Sequence, residues 1–433
     1  MAGALLASTL GLAACGDDEA GDAGGGASAG GEQTPFNEIF GPGGKAGGSE
    51  VTVKAGMNLA VTGIGSFYGQ TMSEAAKLGA RQIKESGGPT FDIKIGDHKS
   101  GEIPAAVSAV RQLITQDQIN TLQTSFGPAS EAVIPLIQQN KILTLQGGGT
   151  SPGQIGKDYL WNNRMIYADV GAPGSVAWIA KAYPDAKRLA IVGSPENGVP
   201  AQEEIVPKLW PELSDGGTVV AQESHDVGVA DFGPVVARVR ASNPDVIWTA
   251  SFGDDVGNLV KAFDRAGMGD VPVVGVEYTP QACEVAGESY NNYIVAGDSF
   301  DPNNENPFTQ LFVEAFKKEY NREPDLYAAN YYEQMFIFWE LVRRTVEAGG
   351  DPTSGEELQK QLAAKPEFKS VYGGGPDEVG VIQLDPEEHS VVKPQSVARV
   401  THGPDACTLK TVATIQPLED GMDPAKTLVS IDE

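Results

Sequence analysis

Positive charge is scarce in this chain. Its 433 residues carry 31 Lys and Arg against 58 Asp and Glu, a formal charge of −27. That balance argues against nucleic acid as a partner. No Lys/Arg cluster offers a docking patch for an anionic membrane. Past the N-terminus, no apolar run reaches the roughly 18 residues that a spanning helix needs. Histidine is nearly as rare, with His98, His225, His389 and His402 the whole set. None sits in an HExxH pair, no GxSxG elbow occurs, and the Cys/His spacing matches no zinc site. A secreted hydrolase is therefore the weakest functional class, and no metal or cofactor is expected. Gly63, Gly65 and Gly69 echo a dinucleotide fingerprint, but the third glycine stands one residue late.

There are three cysteines. Cys15 closes Leu12-Ala-Ala-Cys15 behind a short run of apolar and small residues, a pattern that resembles a bacterial lipoprotein signal, although no Lys or Arg precedes it. Residues 1–15 are read as signal and lipidated cysteine. Residues 16–50, rich in Gly, Ala and Asp, are read as a disordered tether. Cys283 and Cys407 remain as an even pair in an oxidising compartment, which suggests a disulfide, with two free thiols as the alternative.

An apolar share of 41% supports real cores, and the length suggests two or three domains. Strand patterns at 53–61, 91–95, 119–122 and 142–145 alternate with helix patterns from Gln70 onward and near Val107 and Val133. A second alternating series runs from Ala172 to Val274. This implies an α/β chain with doubly wound parallel sheets. No period of about 20–50 residues is visible, so the chain is not a solenoid. Helix patterns at 308–320 and 327–348, then strands at 381–384 and 396–400, revisit both units. Residues 119–152 organise the rest. Two strands there end in turns rich in hydroxyls and glycine, Gln123 to Ser130 and Gln146 to Ser151, and such strand ends form ligand crevices in open parallel sheets.

Five stretches carry a family resemblance. They are Leu59-Ala-Val-Thr-Gly-Ile-Gly-Ser-Phe-Tyr-Gly69; Gly127 to Pro135 with Lys141 to Leu145 and Gly147 to Thr150; Asp231-Phe232, Arg238-Val-Arg240 and Asn243-Pro-Asp245; Arg265-Ala-Gly267 ahead of Glu277; and Tyr320, Pro324 and Tyr327. Residues 51–400 resemble the type I, leucine-binding-like periplasmic binding proteins that deliver branched-chain amino acids and related solutes to ABC transporters. The resemblance implies two Rossmann-like lobes, residues 51–166 with 298–384 and residues 167–297 with 385–433. Three hinge crossovers near 165–169, 297–301 and 384–388 would join them, with the ligand closed between the lobes.

The implied partners are a small amino-acid or amide ligand, the permease subunits of an ABC importer, and a membrane reached through lipid on Cys15. The implied state is a monomer on the outer face of the cytoplasmic membrane. Ser125, Gly127, Gly148 and Thr150 are the candidate donors to a ligand carboxylate. Glu277 matches the residue that pairs the ligand ammonium, and Tyr68 and Phe252 match pocket positions. Asn197-Gly198 stands where leucine-binding members carry a tyrosine, which points to a larger or more polar ligand. A receptor for an amide, urea-like or aromatic acid solute is the alternative on the same fold.

Overall fold

The computed structural model describes residues 34–165, 171–195, 199–297, 300–391, 395–404, 406–415 and 428–431. The described chain opens on a short helix, α1 (Pro35–Phe40), that buries Phe36 and Phe40. Phe40 lies 5.1 Å from Phe308, 4.9 Å from Phe336 and 5.5 Å from Trp339, between ring centroids. Trp339 also donates its indole N–H to the Gly47 carbonyl at 2.9 Å. The tether reading is thus corrected from residue 34 onward. Two aromatics four residues apart share one helix face, and they bury enough apolar surface to order their Gly-rich surroundings.

Alternation then sets in with β1 (Thr52–Leu59), α2 (Ser66–Glu85), β2 (Thr90–Asp97), α3 (Ile103–Gln112), β3 (Thr121–Thr124), α4 (Gly127–Asn140), β4 (Leu143–Gln146) and β5 (Leu160–Asn162). Helix α2 begins four residues before the expected Gln70, so Phe67 and Tyr68 sit in its first turn. The five strands form one sheet in the order β2-β1-β3-β4-β5, all parallel. Register sets Asn58 beside Thr124, Thr124 beside Gln146 and Gln146 beside Asn162. The loops that leave the sheet's carboxyl edge therefore all start at one level.

The second series is α5 (Gly171–Ala182), β6 (Arg188–Gly193), α6 (Val199–Leu213), β7 (Thr218–Ser224), α7 (Gly233–Ala241), β8 (Val246–Ala250), α8 (Gly253–Phe263), β9 (Val273–Gly275), α9 (Pro280–Ala286) and β10 (Tyr293–Gly297). Helices α10 (Pro307–Tyr320), α11 (Leu326–Glu347) and α12 (Gly355–Ala364) return to the first sheet's core, with the hairpin β11 (Glu367–Gly375) and β12 (Glu378–Gln383). Strands β13 (Gln395–His402), β14 (Cys407–Ile415) and β15 (Leu428–Ile431) then join the second sheet, in the order β15-β14-β13-β10-β9-β8-β6-β7. Its β7-to-β10 part is parallel, and β13 to β15 add antiparallel strands at the edge.

The chain crosses between the two sheets after β5, after β10 and after β12. The expected hinges at 165–169 and 297–301 fall largely on residues 166–169 and 298–299, which lie outside the described residues. The third falls later than expected. Residues 385–391 stay with the first sheet, where His389 stacks on Trp161 at 3.9 Å and Val391 is buried in that lobe's core. Strand β13, from Gln395, already belongs to the second sheet.

Cys283 on α9 and Cys407 at the start of β14 form a disulfide with Cα atoms 6.0 Å apart, across a sequence separation of 124. Closing so long a loop restricts the unfolded chain, so reducing it is expected to cost about 2–4 kcal/mol. Urea unfolding with and without reductant reads this as a lowered midpoint, and coincident curves would contradict it. Cys15 lies outside the described residues. Among the described residues, no helix is long and apolar enough to cross a membrane.

Candidate ligand site between the lobes

The carboxyl-end loops of both sheets enclose a cavity of about 250 Å³. The first lobe contributes Tyr68 from α2, Phe126 after β3, Thr150 after β4, Arg164 after β5 and Tyr327 from α11. The second contributes Phe252 to Asp255 after β8, Val276 after β9 and Gln202 from α6. Of the expected site residues, Tyr68, Thr150 and Phe252 line this cavity. Asn197 lies outside the described residues.

Ser125, Gly127, Gly148 and Glu277 stand behind the cavity wall, and the first-lobe hydroxyls are already engaged. The Thr150 hydroxyl donates to the Met165 carbonyl at 2.9 Å. Ser125 is fully buried, with its Oγ 2.9 Å from His98 Nε2. Gly127 begins α4. The Gly148 N–H donates to Gln146 Oε1 at 2.6 Å, and the Gly148 carbonyl accepts from Arg164. These turns hold their own loops together, so the expected array of donors aimed at a carboxylate is not what this geometry builds.

His98 shows how tightly. Its Nδ1 accepts from the Gly101 N–H at 2.9 Å, so the ring proton sits on Nε2 and is donated to Ser125. Burial pulls its pKa down from 6.5 to about 4. The fold holds a neutral ring while the unfolded chain takes up a proton near pH 6.5. This stability is therefore complete above about pH 6.5, declines as pH falls, and is gone below about pH 4. The shift corresponds to about 3 kcal/mol. Burial raises the Asp325 pKa to about 6, and that gives an opposite slope. Comparing wild type with His98→Gln isolates the histidine: their stability gap is expected to shrink by about that amount between pH 7 and pH 4, and a constant gap would contradict it.

Glu277 is fully buried after β9. Its Oε1 accepts from the Tyr68 hydroxyl at 2.9 Å and from the Gly253 N–H at 2.8 Å, and its Oε2 accepts from the Tyr327 hydroxyl. Tyr68 and Tyr327 come from the first lobe, whereas Glu277 and Gly253 belong to the second, so this carboxylate bridges the cleft. Burial pushes its pKa up; the bonds from Tyr327, Gly253 and Tyr68, and the charge of Arg164, pull the other way.

Arg164 escaped the sequence reading. Its guanidinium sits 5.4 Å from the Tyr327 ring centre, and the residue is 5% exposed. It is the one cation on the cavity wall among the described residues. The signal was present, because Arg164 is the only Lys or Arg between Lys157 and Lys181. Gln202 was also missed. It is 3% exposed, lines the cavity, and its Oε1 has no hydrogen-bond partner among the described residues. The walls between these groups mix apolar and aromatic side chains with polar ones, among them Ser100, Asp254, Asp255, Asn258 and Gln281. Such a site can hold an anion at one end, a donor at the other and an apolar body between. Among the described residues, no group of three or more His, Cys, Asp or Glu could hold a metal.

Comparison with known proteins agrees with this architecture. The family model for periplasmic binding proteins matches residues 52–405. No curated protein matches the chain in sequence. A solute binding protein of an ABC transporter from Rhodopseudomonas palustris BisB5, solved with 3,4-dihydroxybenzoic acid, is 20% identical. The match covers 85% of this chain and 98% of that one, with a TM-score of 0.73. The branched-chain amino acid transporter substrate binding protein of Streptococcus pneumoniae, solved with isoleucine, is 20% identical over 83% of this chain and 99% of its own, with a TM-score of 0.69. A leucine binding protein from Thermotoga maritima is 19% identical over 84% and 99%, with a TM-score of 0.70. At these identities the likeness is one of fold.

Proposed function

Because this chain belongs to the periplasmic binding protein family, we propose that it is the extracytoplasmic solute receptor of an ABC importer, closing its two lobes over a small carboxylate solute. The observation that carries the ligand class is Arg164, a buried permanent cation and the one cation on the cavity wall among the described residues. Charge-assisted bonds from a guanidinium suit a carboxylate. The Gln202 Oε1, without a hydrogen-bond partner among the described residues, suits a donor on the solute, such as a hydroxyl or an ammonium. A hydroxylated aromatic acid meets both demands, and the R. palustris relative was solved with such a ligand.

A branched-chain or related amino acid is the second reading. It is favoured by Asp254 and Asp255, which put carboxylates on the second-lobe wall, and by Glu277 close behind it. Permease subunits as partners, and a lipid on Cys15 that keeps the receptor at the membrane, complete the proposal. A Cys15→Ala protein released from the membrane fraction would support the anchor.

Calorimetry with 4-hydroxybenzoate, benzoate, isoleucine, leucine and benzamide tests the ligand class. The acid reading expects hydroxybenzoate to bind and benzamide to fail. Glu277→Gln separates the two readings, because it removes a charge while keeping an acceptor. Amino-acid affinity would then fall about thirtyfold if the ammonium depends on Glu277, and acid affinity would change far less.

A further inference from the structure

The two lobes repeat one detail that has no part in the proposal so far. Ser125-Phe126-Gly127 follows β3, and Ser251-Phe252-Gly253 follows β8. These strands hold equivalent places, since β2-β1-β3 and β7-β6-β8 run in the same order. Each serine meets a buried histidine from the end of the strand two places away in its sheet: His98 Nε2 lies 2.9 Å from Ser125 Oγ, and His225 Nε2 lies 2.8 Å from Ser251 Oγ. Each serine directly precedes a phenylalanine, and both rings line the one cavity from opposite lobes; in the first lobe His98 also packs edge-on to Phe126 at 5.0 Å.

The two seats differ in backbone. In the second lobe Phe252 is extended (φ −127°) and Gly253 takes the left-handed conformation at φ +53°. In the first lobe Phe126 itself sits at φ +63°, ψ 122°, although a glycine follows it. A bulky residue at positive φ is a backbone outlier, and such strain collects where a side chain is needed at a site. The ring also has few alternatives: a Cβ on Gly65 would come 2.8 Å from Phe126 Cζ, and Tyr68 packs edge-on at 6.0 Å.

We propose that Phe126 and Phe252 are the paired specificity-determining jaws of this receptor, gripping a flat ring of the solute between the lobes. The proposal rests on the solute-receptor reading above and narrows it to planar cyclic acids. Aromatic side chains favour flat partners through stacked and edge-on contacts that a puckered ring cannot match.

Benzoate and cyclohexanecarboxylate share a carboxylate and a six-carbon ring but differ in planarity, so their affinity ratio is the readout. Wild type is expected to bind benzoate at least tenfold more tightly. Phe126→Gly accepts the local backbone without strain, and it is expected to fold and to bring that ratio close to one. Phe252→Leu, at an ordinary backbone position, is expected to lower the ratio in the same direction and carries the test if the first variant is unstable. A ratio unchanged in the folded variants would overturn the jaws while leaving the receptor intact. Wild type that binds neither acid yet binds isoleucine would overturn the jaws and the acid reading together. Wild type that binds no member of either panel would overturn the receptor reading itself.

Discussion

Replacing Arg164 by glutamine is expected to weaken binding of a carboxylate solute by thirtyfold or more. Losing one partner of a buried charge pair typically costs about 2–5 kcal/mol, and each ~1.4 kcal/mol is tenfold. The side chain is 5% exposed, so little solvent screening dilutes the loss. Glutamine keeps a donor for the Gly148 carbonyl, which the arginine now serves, and so limits collapse of the 147–149 loop. That loop has further supports, including Asn330 Nδ2 donating to the Gly147 carbonyl at 2.9 Å. Titration of wild type and Arg164→Gln with 4-hydroxybenzoate checks the prediction, with benzyl alcohol as the uncharged control. Equal affinities for the acid would remove Arg164 from the site.

Glu277→Ala is expected to weaken every solute at once, by about a hundredfold or more. In the closed arrangement the Glu277 carboxylate takes the Tyr68 and Tyr327 hydroxyls and the Gly253 N–H. Alanine takes away the acceptor that these donors share where water has been excluded. Losing two such bonds at about 1–2 kcal/mol each already amounts to that factor. When the lobes open, the tyrosines reach water, so the penalty falls on closure rather than on folding. Affinity should therefore drop for acids and amino acids alike, while the unfolding midpoint moves much less. A variant that loses amino acids alone would instead make Glu277 a ligand partner.

The fold was legible where burial imposes a period. Runs such as Ile142 to Leu145 and Val246 to Ala250 are buried on both faces and read directly as parallel strands. The N-terminal helix was hidden because Phe36 and Phe40 stand in a Gly-rich context, and their partners Phe308, Phe336 and Trp339 lie far along the chain. The late third crossing depends on Trp161 stacking with His389, a pairing no local pattern announces.

The site was half legible for a related reason. The β3 and β4 turns were found from composition, and Glu277 from the family resemblance. Which hydroxyls remain for a ligand depends on strand register: His98 reaches Ser125 because β2 and β3 flank β1. The repeated Ser-Phe-Gly is plain in the sequence, but its copies lie farther apart than any solenoid period, and only the matching sheet orders show them to be equivalent.

Native mass spectrometry of the protein as purified from its host tests the central claim most directly. The account predicts a folded monomer carrying one non-covalent small carboxylic acid, released unchanged on denaturation and replaced on soaking with 4-hydroxybenzoate. A covalent adduct, a chemically altered product after incubation, or a protein that retains no acid or amino acid from any offered panel would contradict it.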